Sequence, residues 1–461
     1  MKLEKTTVKS LFTMWWPLAA SWLLMGMGVP MISAVLARLA DPKIHLAAFG
    51  GLVFPVALII EAPVLMLLSA STALSKDWAS YQKIRRFMMG LGFGLTAVHF
   101  LLAFTPLYDL VLVRLMNPPA EIIEPARLGF RVMLPWTWSV AYRRFNQGVL
   151  IRAGRSKAIS TGAILRLAAN ATTLIVGWLI GTIPGIVVGA SGLIAGVLAD
   201  AIYTGRIVQP ILRDELRSST VVMPTLTWST LLNFYWPLAI TSVLNLIVMP
   251  MGAAAIGRMP AALSSLAVWP VVTGFLFMWR SLGFAYNEVV VARMDETGSY
   301  LPLRRFTIGL VGFAIVGLAI VAATPMAQFW FETISNLHEP LTQMARTGLW
   351  VALLWPPITI LRNTFQGVLV SGRKTKAVTE SVIVFFAITG SLLLLSRNNG
   401  RFPGLYIALV IFQLGYASQT AWLWFRSRPY LSQLRQRDGV GRQGGQVMGS
   451  PVAPAVVSGS K

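Results

Sequence analysis

Runs of about twenty or more apolar residues recur along the whole chain, separated by short segments that hold most of the charges. Runs of this length cross a bilayer as helices, and the alternating polarity of membrane strands is absent. We therefore predict an all-α integral membrane protein with about twelve transmembrane helices. The predicted limits are 12–38, 46–74, 87–105, 127–151, 158–181, 184–207, 228–257, 263–292, 306–325, 345–371, 377–396 and 403–425.

The chain contains an internal repeat. Residues 73–150 align with 292–369 at a fixed offset of 219, with about 23 identities in 78 positions. The matches include Arg-Arg-Phe at 85–87 and 304–306 and Gln-Gly-Val-Leu at 147–150 and 366–369. Six helices in each half give both halves the same orientation, so we predict two parallel six-helix repeats. Such duplication is typical of transporters that bind their substrate between the halves.

The polar segments that separate the apolar runs predict five parts of the chain. They are a cytoplasmic N-terminus (1–11), an N-lobe of six helices (12–207), a cytoplasmic linker (208–226), a C-lobe of six helices (227–427) and a cytoplasmic tail (428–461). The tail is rich in Gly, Arg, Gln, Pro and Ser, which predicts disorder.

The charge balance supports a membrane location rather than a nucleic-acid partner. Only 12% of the residues are charged, mean hydropathy is +0.66, and the net charge is +22. The basic residues cluster in alternate connecting segments, which places both termini in the cytoplasm and predicts a multi-pass protein of the cytoplasmic membrane. No basic face or RNA-binding motif is present, so no nucleic-acid partner is expected. Without cysteine or metal-spaced histidines, no cofactor or metal is expected.

Two charged residues lie midway along predicted spans, where a charge is expensive. Glu61 in the second span and Arg280 in the eighth are repeat-equivalent at the offset of 219. One interpretation is a structural ion pair that holds the halves together. The other is that both line the transport path, with Arg280 binding an anionic group or Glu61 carrying a coupling proton. The sequence leaves both open.

Three more polar residues are weaker candidates for the substrate or coupling-ion path. Arg166 and Asn170 lie one turn apart in the fifth span, and Asp200 lies toward the cytoplasmic end of the sixth. Helix–helix hydrogen bonding is the competing explanation for the first two, and contact with the interface for Asp200.

Two further sets of residues have predicted roles, as helix kinks and as lipid contacts. Pro30 and Pro250 are matched in the first and seventh spans, and we predict kinks there that bend during gating or are static. Arg143, Arg144 and Arg362, near the predicted cytoplasmic ends of two spans, are predicted to contact lipid phosphates.

Several segments resemble the multidrug and toxic compound extrusion (MATE) transporters. MISAVLARLADPKIHLAAFG (31–50) resembles their first-to-second span connection. YRRFNQGVLIRAGRSKAIS (142–160) and its echo LRNTFQGVLVSGRKTKAVT (361–379) resemble the superfamily motif after the fourth and tenth spans. The resemblance implies a MATE-like fold in which spans one, two, seven and eight line a cleft and transport proceeds by alternating access.

One departure bears on the substrate. The drug exporters often carry an aspartate six residues before the arginine of the first motif, where this chain has Ile32, with Gly252 as its repeat mate. A weaker similarity to the progressive ankylosis-like branch implies export of small anions such as citrate or phosphate compounds.

We therefore predict a secondary active exporter, not an enzyme, that moves a small organic solute by antiport with H+ or Na+. No motif for adenine-nucleotide hydrolysis is present. Alternatives are an organic-anion exporter, a flippase for a lipid-linked precursor, and a non-transporting scaffold. The expected partners are the solute, the coupling ion and membrane lipids, and the expected state is a monomer.

Overall fold

The computed structural model describes residues 6–155, 157–219, 223, 225–294, 296–372, 374–396 and 401–439. Within these ranges the chain is helical and contains no strand, which confirms the predicted all-α class. The helices of the first half are α1 Val8–Gly26, α2 Gly28–Leu36, α3 Pro42–Ala48, α4 Phe54–Leu65, α5 Leu67–Leu74, α6 Trp78–Phe104, α7 Arg114–Met116, α8 Ile123–Val132, α9 Pro135–Arg152, α10 Lys157–Ile180 and α11 Gly185–Pro210. Those of the second half are α12 Trp228–Leu246, α13 Val248–Ile256, α14 Ala262–Arg293, α15 Tyr300–Ala323, α16 Pro325–Gln328, α17 Leu341–Val351, α18 Trp355–Ser371, α19 Thr375–Leu395 and α20 Gly404–Arg437.

These helices form twelve successive segments in the described chain, and several segments are broken. α1 with α2, α3 to α5, α8 with α9, α12 with α13, and α17 with α18 each make up one segment. By length and composition, eight segments in the described ranges are apolar enough to span a membrane, and nine if the bent pair α17 and α18 is counted as one.

Polar first turns explain why some helices start earlier than predicted. Asp77 and Ser80 form a capping box in which each side chain accepts a hydrogen bond from the other residue's backbone, so α6 begins at Trp78 instead of 87. Thr7 and Ser10 cap α1 in the same way. Hydropathy does not detect these turns because they precede the apolar run.

Two predicted boundaries need correction. The linker was expected from 208, but α11 runs to Pro210 and a π-helical turn follows at Ile211–Leu216. The disordered tail was expected from 428, but α20 continues to Arg437. Its end is held because Arg437 donates to the carbonyls of Met294 and Glu296. Residues 440–461 of the predicted tail, and 1–5 of the predicted N-terminus, lie outside the described residues.

The first segment of each half packs against the opposite half. α1 lies against α14 and α15, whereas α2 packs against α10 and α11 of its own half as well as α14. Likewise α12 lies against α4 and α5, whereas α13 packs against α19 and α20 of its own half as well as α4 and α7 of the first half. The breaks that separate these parts fall at Met27 and Ile247, each three residues before one of the matched prolines Pro30 and Pro250. The halves are therefore interlocked at these two breaks.

Symmetric contacts also join the halves on one face. We call the face that carries residues 6 and 439, the ends of the described chain, the terminal face. The contacts lie on the opposite face, which we call the distal face. The Arg38 guanidinium donates to the carbonyl of Ile334 at 2.7 Å, and its repeat mate Arg258 donates to the carbonyl of Leu115. Leu115 and Ile334 are themselves related by the offset of 219. These four residues form what we call the distal latch.

Candidate functional site

The two midspan charges, Glu61 and Arg280, do not form an ion pair. Glu61 in α4 is 5% exposed and Arg280 in α14 is 9% exposed. Glu61 interacts electrostatically with arginines of its own half, and Arg280 contacts α18 and α20 of the second half. The structural ion pair between the halves is thus absent from this structure, and each charge belongs to a separate cluster.

The N-half cluster consists of Glu61, Arg143, Arg144, Arg166 and Asp200. Arg143 Nη1 lies 3.1 Å from Asp200 Oδ2, and both side chains are buried, at 6% and 1% exposed. Glu61 lies within the field of all three arginines, and its Oε2 is buried without a hydrogen-bond partner. Four different helices, α4, α9, α10 and α11, bring these residues together.

The structure overturns the predicted lipid contacts of the α9 and α18 arginines. Arg143 pairs with Asp200 inside the first half. Arg144 and Arg362 are half-buried, and the Nε atom of each is enclosed by protein without a hydrogen-bond partner. Because α9 and α18 pack inside their halves, these arginines face protein and not lipid phosphates, although they lie near the ends of predicted spans.

Close packing of α10 on α11 places two further predicted residues. Asn170 is buried and its Oδ1 has no hydrogen-bond partner. A Cβ added at Gly192 would lie 3.0 Å from that oxygen, and one added at Gly162 would lie 2.4 Å from Asp200 Oδ1. These glycines let α10 and α11 approach, so that Arg166, Asn170 and Asp200 lie along one helix–helix contact.

The C-half cluster consists of Arg280, Arg362, Thr359, Trp355 and Tyr416. Arg280 Nε donates to Thr359 Oγ1 at 3.2 Å, and its guanidinium carbon lies 4.6 Å from the Trp355 ring centroid. Both arginines contact the face of Tyr416, at 5.2 Å for Arg280 and 5.0 Å for Arg362. Among the described residues, no carboxylate lies within ion-pair distance of either guanidinium.

The two clusters lie at equivalent positions of the two repeats but carry different charges. At the offset of 219, Arg143 corresponds to Arg362 and Trp136 to Trp355. Sequence reasoning missed this arginine pair, although the alignment contained it, because both residues lay near the ends of predicted spans. In the second half, Glu61 is replaced by Arg280, and Asp200 by Gln419. The acidic groups of the first half therefore have no counterpart in the second.

The matched prolines lie three residues after the two helix breaks. The ring of Pro30 lies 3.3 Å from a Cβ added at Gly274 of α14, so α2 meets the second half at close range. Pro250 is buried near the start of α13. Gating motion at these positions stays a prediction. Within the described ranges, no group of His, Cys, Asp and Glu is arranged to hold a metal ion.

Comparisons with known proteins identify the fold. No protein-family profile matches the chain, and no curated protein does. Among solved structures, it is similar to an inward-facing multidrug resistance MATE family transporter of the MOP superfamily (14% identity, 91% of this chain and 99% of that chain, TM-score 0.68). It is also similar to the lipid II flippase MurJ in an inward closed conformation (13%, 92% and 90%, 0.69).

A third similar structure is a MOP superfamily transporter from Pyrococcus furiosus, described as having a binding pocket of reverse polarity (14% identity, 94% of this chain and 97% of that chain, TM-score 0.57). The chain therefore has the fold of the MATE transporters and MurJ. This confirms the predicted resemblance at the level of the fold.

Proposed function

We propose that this chain is a secondary transporter that carries an anionic organic solute across the membrane by alternating access. The observation that carries the proposal is the surplus of positive charge in the two clusters, which contain five arginines (Arg143, Arg144, Arg166, Arg280 and Arg362) and two carboxylates. Each cluster lies inside one half of a chain whose fold is similar to that of a multidrug resistance MATE family transporter, which supports the proposal.

The C-half cluster contains two arginines with no carboxylate in ion-pair distance among the described residues, which favours binding of an anion there. A charge inside a membrane protein costs at least about 2.5–3.5 kcal/mol on insertion scales unless it is compensated. Trp355 and Tyr416 stabilise Arg280 and Arg362 through cation–π contacts, typically worth about 0.5–2 kcal/mol. Their guanidinium donors still match carboxylate or phosphate oxygens. An anionic substrate would supply the missing charge.

The N-half cluster has the features of a coupling site. Asp200 forms an ion pair with Arg143, whereas Glu61, in the field of three arginines and beside Trp136, forms none in the described part of the chain. A proton on Glu61 would raise the net charge of this cluster by one unit and change its attraction for an anion. We infer that Glu61 carries the coupling proton in an antiport cycle.

A groove between the halves favours a lipid-linked anion as a second candidate. Its volume is about 540 Å³, and apolar residues of α4, α6, α13 and α19 line it. Ile60 and Pro250 both lie in this lining, and Ile60 is adjacent to Glu61 in sequence. In a flippase, the anionic headgroup would meet the arginines while the hydrocarbon chain lay in the groove.

The test is transport by the full chain in proteoliposomes with an imposed pH gradient. The probes are citrate, pyrophosphate, a cationic dye and a fluorescent prenyl pyrophosphate lipid. Wild type is compared with Arg280→Gln, Arg362→Gln and Glu61→Gln, and with Arg86→Gln, an exposed arginine outside both clusters, as the matched control.

We expect anion flux that Arg280→Gln and Arg362→Gln each reduce at least tenfold, with little effect of Arg86→Gln. Glu61→Gln should remove the pH dependence of the flux. Movement of the lipid probe alone, with the same arginine dependence, would establish the flippase. Movement of the dye alone would refute an anionic substrate, and no movement of any probe in folded protein would favour the scaffold.

A further inference from the structure

A separate polar pocket lies at the terminal-face end of the first half. It has a volume of about 250 Å³ and lies between α6, α9 and the π-helical turn Ile211–Leu216 that follows α11. No residue of the N-half cluster lines it. Polar side chains dominate the lining, chiefly Arg85, Tyr142, Asn146, Arg213 and Arg217.

Three arginines line this pocket. Arg85, Arg213 and Arg217 form no ion pair in the described part of the chain, and none of the described lining residues is acidic. Arg217 lies against the face of Trp78, 4.9 Å from the ring centroid, and both side chains line the pocket. Three positive charges around one small cavity repel each other unless an anion or solvent separates them.

A buried amide gives an independent sign of a ligand. Asn146 in α9 is 2% exposed, lines the pocket, and its Nδ2 is buried without a hydrogen-bond partner. An unsatisfied buried donor costs about 1–3 kcal/mol. An anion in the pocket would accept a hydrogen bond from this amide as well as from the guanidinium groups.

We propose that this pocket binds a phosphoryl group, presented by free phosphate or by the headgroup of an anionic phospholipid. Guanidinium forks match phosphate oxygens in a bidentate manner, and the amide adds a neutral donor. The pocket opens near the face on which basic loops and, in the cytoplasmic leaflet, anionic headgroups are expected to meet. The proposal does not depend on the transport function.

The repeat supplies a natural control because the second half lacks this donor set. At the offset of 219, Asn146 corresponds to Phe365, Arg213 to Ser432 and Arg217 to Gln436, whereas Arg85 is retained as Arg304. A phosphoryl site formed by these residues is therefore specific to the first half. Arg304→Gln removes the same charge from the matched helix position without touching the pocket.

The experiment measures binding to the purified full chain with two probes. Inorganic phosphate is titrated while thermal unfolding is followed by tryptophan fluorescence. Phosphatidylglycerol retention is measured by native mass spectrometry after extraction from vesicles of phosphatidylglycerol and phosphatidylcholine. The variants are Arg213→Gln with Arg217→Gln, Asn146→Leu, and the control Arg304→Gln.

We expect at least a tenfold loss of affinity in the double arginine variant, a smaller loss in Asn146→Leu, and wild-type binding in Arg304→Gln. Stabilisation by phosphate alone identifies free phosphate as the source, and selective phosphatidylglycerol retention alone identifies the lipid. Because Arg213 and Arg217 are exposed, the fold should survive; if it does not, Arg85→Gln repeats the test from α6. The proposal is overturned if neither probe binds wild type, or if Arg304→Gln loses as much affinity as the pocket variants.

Discussion

The buried pair of Arg143 and Asp200 offers the sharpest test of how the first half is held together. We predict that Asp200→Asn destabilises the protein strongly, whereas the double variant Arg143→Gln with Asp200→Asn recovers most of the loss. The reason is that the single variant leaves Arg143 buried beside Arg144 and Arg166 with only Glu61 to compensate three positive charges.

The magnitude follows from the geometry. At 3.1 Å between Arg143 Nη1 and Asp200 Oδ2, the attraction is about 5 kcal/mol at an effective dielectric constant of about 20. Removing one partner of a buried pair typically costs about 3–5 kcal/mol, because the other charge stays buried. The double variant leaves no such unpaired charge, so it should avoid most of this cost. An exposed pair is worth about 0–1 kcal/mol.

The assay is thermal unfolding in detergent, followed by tryptophan fluorescence, together with size-exclusion retention of the heated sample. The matched control is Asp109→Asn, which breaks the ion pair between Asp109 and Arg127 of the same half. That pair is short, at 2.6 Å, but Asp109 is more than half exposed, so we expect little change. If Asp200→Asn behaved like Asp109→Asn, or if the double variant were no more stable than the single one, the Arg143–Asp200 coupling would be refuted.

Three further predictions concern packing, gating and pH. Gly148→Ala should destabilise by about 1–3 kcal/mol, because the new Cβ would lie 2.5 Å from the backbone carbonyl of Leu68, whereas Gly94→Ala, with nothing within 4 Å, should be neutral or slightly stabilising in the same melts. Arg38→Gln with Arg258→Gln should open the distal face. This would be seen as longer distances between spin labels on cysteines introduced in the loop after α7 and in the loop after the π-helical turn Phe329–Ile334 of this cysteine-free chain; unchanged distances would contradict a latch. For Asp438, burial raises the pKa of the carboxyl. Hydrogen bonds from the Arg437 side chain and from the backbone amides of Gly298 and Tyr300 lower this pKa by more than burial raises it, so the pKa lies below its usual value. Its stabilising effect should be present at neutral pH and lost as the pH falls below about 4, so the difference in melting temperature between wild type and Asp438→Asn should vanish in acid.

The repeat and the apolar runs predicted most of the fold, because both depend on local composition and spacing. The predicted break prolines lie beside the observed helix breaks at Met27 and Ile247. The repeated Gln-Gly-Val-Leu motif also has a packing reason. A Cβ on Gly148 would meet the carbonyl of Leu68 in α5, and one on its mate Gly367 would lie 2.9 Å from Val290 of α14. Each motif therefore allows one close helix contact within its half.

The composition of the clusters could not be predicted in the same way, because it depends on which helices pack together. Depth along a span placed Glu61 and Arg280 correctly as interior charges, but the facing partners come from α9, α10, α11, α18 and α20. The positions of Arg143 and Arg362 near the ends of their predicted spans predict lipid contacts. In the structure, α9 and α18 turn these positions toward the interior of each half, where Asp200 and Tyr416 meet them.

The difference between the two clusters suggests how a duplicated chain divides its tasks. Both halves keep the same tryptophan and arginine on matching helices, at 136 and 143 and at 355 and 362. In the first half, two carboxylates compensate most of the positive charge, so protonation of one of them is the simplest way to change the field inside it. In the second half, Arg280 and Gln419 stand in place of the two carboxylates, and the guanidinium groups of Arg280 and Arg362 contact aromatic rings instead. The first helix of each half, α1 or α12, packs against the other half. A change of charge in one half therefore acts on helices that contact both halves. Under the proposed function, a proton site in the first half and an anion site in the second would be coupled through the interlocked helices rather than through a direct ion pair.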